Sequence, residues 1–255
     1  MNTSIIVLLL FLTIITLIME IERNKSPSVS IKNFYAGDKF QTFLISLNNA
    51  CIHLFDGRCI LPVKDYKQLN PLENHRQTIT REFFKIRNLL TPTQPSVFDD
   101  SIEYDKNYGY YFLKYANHMI VENEKYFPKL YKILKDTPSI KTAFFSIIQG
   151  PKHIPTHRGP SKGYLRYHLT IHNDNPSKNY LQVKERKCYW KSNSSFLFDD
   201  TFYHKLDKKD NGLRVSLICD VERNLSRPLK FLNQCTQRSL QNSNYVKERI
   251  NKLKL

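Results

Sequence analysis

The sequence predicts a mainly β fold of the jelly-roll or barrel type, with peripheral helices and one transmembrane helix in front of it. Three observations lead to this prediction. Between residues 142 and 221 the chain breaks into short segments rich in aromatic and β-branched residues, separated by turn residues, as in folds of this type. Before residue 110, apolar pieces are interrupted by Pro, Asn and Asp, as in short helices. The amino terminus holds an almost purely aliphatic run.

The aliphatic run extends from Ile5 to Ile18, and with its neighbours it approaches the length of a helix that crosses a thin bilayer. No basic residue precedes it and no small-x-small cleavage site follows it, as a signal peptide would require. We therefore expect an uncleaved single-pass membrane anchor over residues 1–25. Arg23 and Lys25 follow the run, which favours a cytoplasmic position for the rest of the chain, but two charges leave the side open.

Residues 26–110 are predicted to form a helical and irregular covering region. Short helices are expected near Phe40–Leu47 and Phe83–Leu90, where apolar residues cluster between turn residues. A further helix is predicted over residues 125–134, because its apolar residues lie three and four positions apart and share one face. These helices are expected to pack on the edge of the β domain.

The β domain is placed at residues 111–228. A polar tail follows at 229–255, with a helix from Asn244 to Leu253. The strands of the β domain are predicted from their aromatic and β-branched content. They are Thr142–Ile148, Tyr164–His172, Tyr180–Glu185, Lys187–Trp190, Ser195–Phe198 and Leu213–Val221.

The charge balance is strongly basic, with 39 Lys and Arg against 23 Asp and Glu and a formal net charge of +16. Such a surface attracts nucleic acids, anionic lipid headgroups or acidic substrates. The lysines are scattered along the chain, and no RNA-recognition or zinc-finger motif accompanies them. A nucleic-acid partner is therefore not expected, and a solvated basic surface is the simpler interpretation.

Five cysteines occur without a CxxC pair or the density of a disulfide scaffold. Cys51 and Cys59 are close enough in sequence to form a disulfide across a short loop, and the sequence leaves this open. Cys188 and Cys219 lie in strand-like apolar runs and are expected to be buried.

Two histidines and two arginines in fixed order are the strongest functional signal. His157 opens a loop before a strand, and His204 closes the turn after two aspartates. A lone histidine is more often structural, but imidazole is a good ligand for ferrous iron and guanidinium binds carboxylates in a fork. With Arg166 and Arg214 nearby in sequence, the set indicates an iron site supplied with a small dicarboxylic acid.

These residues lie in ordered blocks that resemble the aspartyl/asparaginyl β-hydroxylase family, which is also similar to the bacterial lipid A hydroxylases. The resemblance covers about Tyr111 to Pro228, and the amino-terminal third has no comparable match. The blocks are Lys141–Ile148, Pro151–Pro160, Gly163–Leu169, Phe198–His204 and Leu213–Leu217.

The resemblance implies a double-stranded β-helix, a jelly-roll or cupin-like fold, that binds Fe(II) and uses 2-oxoglutarate and O2. It assigns the metal to His157 and His204. Most such oxygenases carry a carboxylate two residues after the first histidine. Here that position is Gly159. Since the family shares this absence, the resemblance implies water as the third ligand.

The resemblance also assigns the cosubstrate pocket. Arg214, with help from Ser146, matches the residues that bind the distal carboxylate of 2-oxoglutarate. Arg166 and His168 match those that steady the carboxylate near iron. In a strand these two residues share one face, opposite to the apolar residues between and around them, so the periodicity supports a shared role.

Other polar residues of the motif receive weaker assignments. Asp199 and Asp200 are not taken as iron ligands, because aspartates in a strand-to-turn segment commonly bond local backbone or orient a ligand histidine. His153 is assigned either to the substrate entrance or to the surface. His172 and Trp190 are expected to be structural.

The expected function is hydroxylation of an unactivated C–H bond by a membrane-anchored dioxygenase. The family name favours the β-carbon of Asp or Asn residues in a protein as the substrate. The alternative is the acyl chain of a lipid, as in the lipid A hydroxylases. A third hypothesis, from another class, is a non-catalytic membrane-tethered jelly-roll that only binds. The presence of all the metal and cosubstrate residues argues against it.

Overall fold

The computed structural model describes residues 3–8, 10–12, 14–15, 39–89 and 107–253. Its strands are β1 (Ile60–Leu61), β2 (Tyr108–Tyr115), β3 (His118–Met119), β4 (Ile140–Gln149), β5 (Lys152–His157), β6 (Tyr164–Asn173), β7 (Tyr180–Val183), β8 (Arg186–Tyr189), β9 (Ser195–Phe198), β10 (His204–Lys208) and β11 (Leu213–Glu222). Its helices are α1 (Lys39–Phe55), α2 (Asn70–Asn74), α3 (Arg76–Ile86), α4 (Pro128–Asp136), α5 (Arg227–Gln241) and α6 (Asn244–Leu253).

The strands form two antiparallel sheets. Over the described residues, the larger has seven strands in the order β1-β9-β6-β11-β4-β2-β3, and the smaller has four in the order β5-β10-β7-β8. Sequence neighbours are mostly not neighbours in the sheets, as in a jelly-roll, where the chain crosses repeatedly between two sheets. The predicted mainly β, jelly-roll fold with peripheral helices is therefore confirmed.

The alternation of side chains along β6 separates two apolar cores. Leu165, Tyr167 and Leu169 are fully buried in a core on one face of the larger sheet. Arg166 and His168 instead line a cavity between the two sheets. This is the two-residue period of a strand, and it confirms that Arg166 and His168 share a face.

Helices α3 and α4 cover the outer face of the larger sheet. Burying each large apolar side chain contributes about 1.5–3 kcal/mol, so these helices are held mainly by their apolar faces. The Glu82 carboxylate accepts hydrogen bonds from the first N–H groups of α4, at Lys129 (2.8 Å) and Leu130 (3.2 Å). The buried residues of the two helices are Ile79, Phe83, Ile86, Leu130, Tyr131, Ile133 and Leu134.

Helices α1 and α5 pack against each other beside the sheets. The Asn48 side-chain amide donates to Asn233 Oδ1 at 2.9 Å, and the Gln41 amide donates to the Ser239 carbonyl at 3.1 Å. The short helix predicted near the start of this region is therefore real but continues to Phe55. The predicted polar tail contains the expected carboxyl-terminal helix and also α5, which was not predicted.

The single-pass amino-terminal anchor, and with it the predicted membrane localisation, is wrong. Among the described residues, no helix is both long enough and apolar enough to cross a bilayer. The helical residues described near the amino terminus are 3–8, 10–12 and 14–15. Arg23 and Lys25, on which the orientation argument rested, lie outside the described residues.

The cysteines are reduced. Cys51 and Cys59 are both free thiols, so the disulfide that the sequence left open is not formed. Cys188 and Cys219 are buried, as predicted, with exposed fractions of 9% and 0%.

A buried charge network joins the turn after β9 to α1 and to the segment before β6. The Asp199 carboxylate accepts hydrogen bonds from Lys162 Nζ and from Arg223 Nη2, the latter at 2.6 Å. Arg223 also donates to the Asp56 carboxylate at 2.9 Å, and Arg58 donates to it at 2.8 Å. Asp199 additionally binds the backbone of its own turn, as expected from the sequence.

We expect Asp56→Asn to destabilise the protein at neutral pH but not in strong acid. Burial raises the pKa of Asp56, but the hydrogen bond from Arg58 and the charge of Arg223 outweigh it and lower that pKa to about 2. A lowered carboxyl pKa stabilises the fold above the unfolded-state pKa, and this stabilisation is lost as the pH falls through about 2. Urea unfolding should show a loss of about 1–2 kcal/mol at pH 7. The difference should shrink towards pH 2, and a pH-independent difference would contradict the assignment.

Candidate active site

His157 and His204 face each other on neighbouring strands. They are directly paired residues of β5 and β10, and their ring centroids lie 4.2 Å apart. Opposed residues of antiparallel strands project to the same side of the sheet. His204 is buried at 3% exposure, whereas His157 is half-buried. The fold therefore brings together the two histidines predicted as metal ligands.

Both imidazoles are held in the tautomer that a metal requires. The Nδ1 atom of His157 lies 2.9 Å from the Pro155 carbonyl oxygen, and Nδ1 of His204 lies 2.9 Å from the Phe202 carbonyl oxygen. A carbonyl oxygen only accepts, so each Nδ1 carries a proton, and Nε2 is the nitrogen of each neutral ring that can bind a metal. Burial and the neighbouring His157 lower the pKa of His204 well below its usual value, so its ring is neutral.

No third protein ligand joins this pair. Within the described residues there is no group of three or more His, Cys, Asp or Glu placed to hold a metal. A Cβ atom at Gly159 would clash with the Asp200 carboxylate, so position 159 has no room for a side chain unless Asp200 moves. Asp200 is itself ion-paired with Arg166 at 3.2 Å. The geometry is that of a two-histidine site.

A narrow cavity of about 60 Å³ runs between the two sheets from this pair. Its walls include apolar side chains from both sheets, such as Phe144 and Ile218 of the larger sheet and Ile154 and Leu206 of the smaller one. All six residues predicted from the sequence for the metal and cosubstrate sites line it. They are Ser146, His157, Arg166, His168, His204 and Arg214.

Arg214 is a buried cation without a carboxylate partner in the part of the chain that the structure describes. Its side chain is 1% exposed, and Nη1 donates to the Ser146 carbonyl at 3.2 Å. The guanidinium lies over the Trp190 ring, with Cζ 4.7 Å from the ring centroid, and Nε has no hydrogen-bond partner. Burial lowers the pKa of Arg214 to about 10, so it stays charged at neutral pH. Such a group is suited to receive an anion.

His168 presents a second unpaired donor to the cavity. The Trp190 indole N–H donates to His168 Nδ1 at 3.3 Å, which places the ring proton on Nε2. His168 Nε2 is buried and has no partner among the described residues. Burial, reinforced by Arg214 and Arg166, lowers the pKa of His168 well below its usual value. A buried unpaired donor costs about 1–3 kcal/mol, which an oxygen atom of a ligand would recover.

Arg166 lines the cavity but is engaged by protein carboxylates. Its Nε and Nη2 donate to the two Asp220 oxygens at 2.9 and 3.2 Å, and its Nη1 pairs with Asp200. Its predicted contact with the cosubstrate carboxylate stays a prediction. Burial raises the pKa of Asp200 above its usual value. His153 and His172 do not line the cavity and pair instead with Asp207 and Asp174.

Sequence reasoning missed two tyrosines and underestimated a tryptophan. Tyr108 and Tyr110 line the cavity, with hydroxyl oxygens 2.5 Å apart. Their spacing of two on one strand was the available signal, but β2 was not predicted. Trp190, expected to be structural, both fixes the His168 tautomer and stacks on Arg214.

Residues 73–224 match the profile of the protein family described as aspartyl/asparaginyl β-hydroxylase. The match spans more than half of the chain and includes every residue that lines the cavity. The chain belongs to this family. The predicted resemblance is thus confirmed, and the family match begins earlier in the chain than the blocks indicated.

A relative with an assigned activity is similar to part of this chain. The protein is 30% identical over 167 residues to an ornithine lipid ester-linked acyl 2-hydroxylase of Rhizobium tropici. The alignment covers 64% of this chain, and it spans only 59% of the length of the Rhizobium hydroxylase.

Solved structures show only a loose similarity to this hydroxylase family member. An oxidoreductase of the 2OG-Fe(II) oxygenase family from Burkholderia pseudomallei gives a TM-score of 0.37 at 9% identity, covering 57% of this chain and 78% of that one. A Pseudomonas putida prolyl-4-hydroxylase gives 0.35 at 7% identity, covering 60% and 88%. Scores of this size carry no argument about activity.

Proposed function

We propose that the protein is an iron(II)- and 2-oxoglutarate-dependent hydroxylase acting on an unactivated C–H bond of a fatty-acyl chain. One observation carries the chemistry. A single cavity is lined by the facing imidazoles of His157 and His204 and by the buried cation Arg214, which has no carboxylate partner among the described residues. This arrangement suits a metal together with an anionic cosubstrate.

The residues present fit both groups. The Nε2 atoms of His157 and His204 would hold the iron, since imidazole nitrogen is a preferred ligand of Fe(II). Arg214 would bind the distal carboxylate of 2-oxoglutarate, and His168 would donate from Nε2 to another oxygen atom of the ligand. When bound, iron with 2-oxoglutarate and O2 supplies the oxidising power that converts C–H to C–OH, with succinate and CO2 as coproducts.

The protein itself would orient the metal and cosubstrate ligands and shield them from water. Trp190 fixes the donor nitrogen of His168 and the plane of Arg214. The Pro155 and Phe202 carbonyls accept from the Nδ1 atoms of His157 and His204, which orients the two rings and leaves Nε2 of each neutral ring as the nitrogen for a metal. Apolar walls around the cavity exclude water, which strengthens each polar contact inside it.

Two substrates have separate support. The name of the Rhizobium relative favours an acyl chain, and this is the substrate that we propose. The description of the family favours the β-carbon of Asp or Asn in a protein, which is the second candidate. Either substrate requires the same iron and cosubstrate site.

Succinate release by the full chain tests the proposal. With Fe(II), 2-oxoglutarate and O2, we expect vesicles of an acyl lipid to stimulate succinate formation more than Asp-containing peptides, and to yield lipid one oxygen atom heavier. Stimulation by the peptide alone would select the second candidate. If isothermal titration showed no binding of 2-oxoglutarate with a redox-inert metal, the hydroxylase proposal would fail in favour of a non-catalytic binding module.

A further inference from the structure

A second space opens beside the candidate active site. It is a groove of about 240 Å³ between the ends of β2 and β4, the segment before β6, and the two carboxyl-terminal helices. Helices α5 and α6 lie beyond the residues that match the family profile, so this wall belongs to the chain's own extension. The residues that line the groove include Tyr115, Pro160, Tyr164, Arg166, Leu240 and Val246.

The groove and the cavity between the two sheets share one lining residue, Arg166. Arg166 lines both spaces, and its guanidinium is fixed by carboxylates on neighbouring segments. His157 and His204 line the cavity between the sheets together with Arg166. Arg166 is therefore the side chain at which the groove and the candidate active site meet.

The charges of the groove are already paired. Arg166 is bound by Asp220 and Asp200, and Lys141 pairs with Glu222 at 3.2 Å. Among the described lining residues, no cation is left over to receive a substrate carboxylate, as an Asp side chain would require. The groove offers instead apolar surface from Pro160, Leu240 and Val246 and from two tyrosine rings.

Hydrogen bonds fix the helical wall in place. Asn233 on α5 donates to the Gly163 carbonyl at 3.3 Å, and Gln237 donates to Ser161 Oγ at 3.0 Å. A Cβ atom at Gly163 would clash with both amide side chains, so the glycine permits this close approach. From α1, Asn49 donates to the Pro160 carbonyl at 2.8 Å. The groove is thus formed before any ligand binds.

We propose that this groove binds the hydrocarbon chain of the acyl substrate, with α5 and α6 as the wall that admits it. The proposal rests on the proposed function for its acyl substrate and goes further by assigning the binding surface. Its chemistry is an uncharged, flexible chain packed against apolar side chains, with the reactive carbon directed past Arg166.

Binding of an uncharged fatty-acyl ester by the full chain, without iron or 2-oxoglutarate, tests this assignment. The probe is the methyl ester of a conjugated polyene fatty acid, whose fluorescence rises in an apolar site, and methyl palmitate is the competitor that displaces it. We expect saturable binding by the wild type, weakened about tenfold or more in Val246→Trp, which fills the groove. Leu240→Gln should weaken probe binding several-fold. Because Leu240 is half-exposed, this substitution does not overpack the groove, and it keeps the test valid if Val246→Trp misfolds.

Glu248→Trp is the matched control, because it places the same large side chain at an exposed position of α6. It should bind the probe like the wild type. No saturable binding by the wild type, or equal binding by Val246→Trp, Leu240→Gln and wild type, would overturn the groove assignment. So would displacement of the probe by an Asp-containing peptide but not by methyl palmitate. Because no redox component is present, these outcomes are independent of the succinate assay.

Discussion

Replacing His204 by alanine is expected to abolish succinate formation. The proposed metal site would have only two protein ligands among the described residues, so losing one would remove half of the protein's hold on iron. His204 is also the more buried of the two, on a strand paired on both sides. The same result is expected for His157→Ala. Succinate release measures turnover, and the visible charge-transfer band of the anaerobic iron(II)–2-oxoglutarate complex reports the metal site separately.

His153→Ala provides the control for both variants. His153 lies on β5 with His157, but its side chain is 59% exposed and pairs with Asp207 outside the cavity. It should retain both turnover and the charge-transfer band. Full activity of both His157→Ala and His204→Ala would rule out the ligand assignment.

Replacing Arg214 by methionine should weaken 2-oxoglutarate binding about a hundredfold or more, since removing one partner of a buried charge pair costs about 2–5 kcal/mol. The KM for 2-oxoglutarate should rise, whereas metal binding should not change, because the two histidines are untouched. Arg214→Lys should be intermediate, because it keeps the charge but loses the planar fork.

Stability distinguishes this role from a structural one. In the ligand-free protein Arg214 is a buried charge without a carboxylate partner among the described residues, and such a charge opposes folding. We therefore expect Arg214→Met to melt at the same or a higher temperature than the wild type while losing cosubstrate binding. A large fall in melting temperature would indicate instead that Arg214 supports the core.

Local patterns revealed the strands that are buried on both faces. Strands β4, β6 and β11 carry aromatic and β-branched runs, and they were predicted to within a few residues. Strand β5 was missed, because it contains Pro155 and half of its residues are exposed to solvent. Strand β10 was taken for the end of a turn, because Leu206 is its one apolar residue among charged and polar ones.

The candidate site was accessible from the sequence only in part. Ordered motifs identified six residues that the structure places around one cavity. The partners of Arg166 were not predictable, because Asp220 lies 54 residues away and meets it only through strand register. At the amino terminus a feature was predicted that the described residues do not contain. The length and apolar composition of the run were taken to indicate a membrane span.

His157 and His204 face each other only because strands β5 and β10 pair in one particular register. In the described part of the smaller sheet, β5 is an edge strand, held by β10 on one side only. Because side chains alternate, a slip of one residue would turn His157 to the opposite face while leaving the sheet hydrogen-bonded. Chains with such a slip would retain their secondary structure and lose the proposed metal site. The proposed activity would therefore depend on the correct register of this one edge strand.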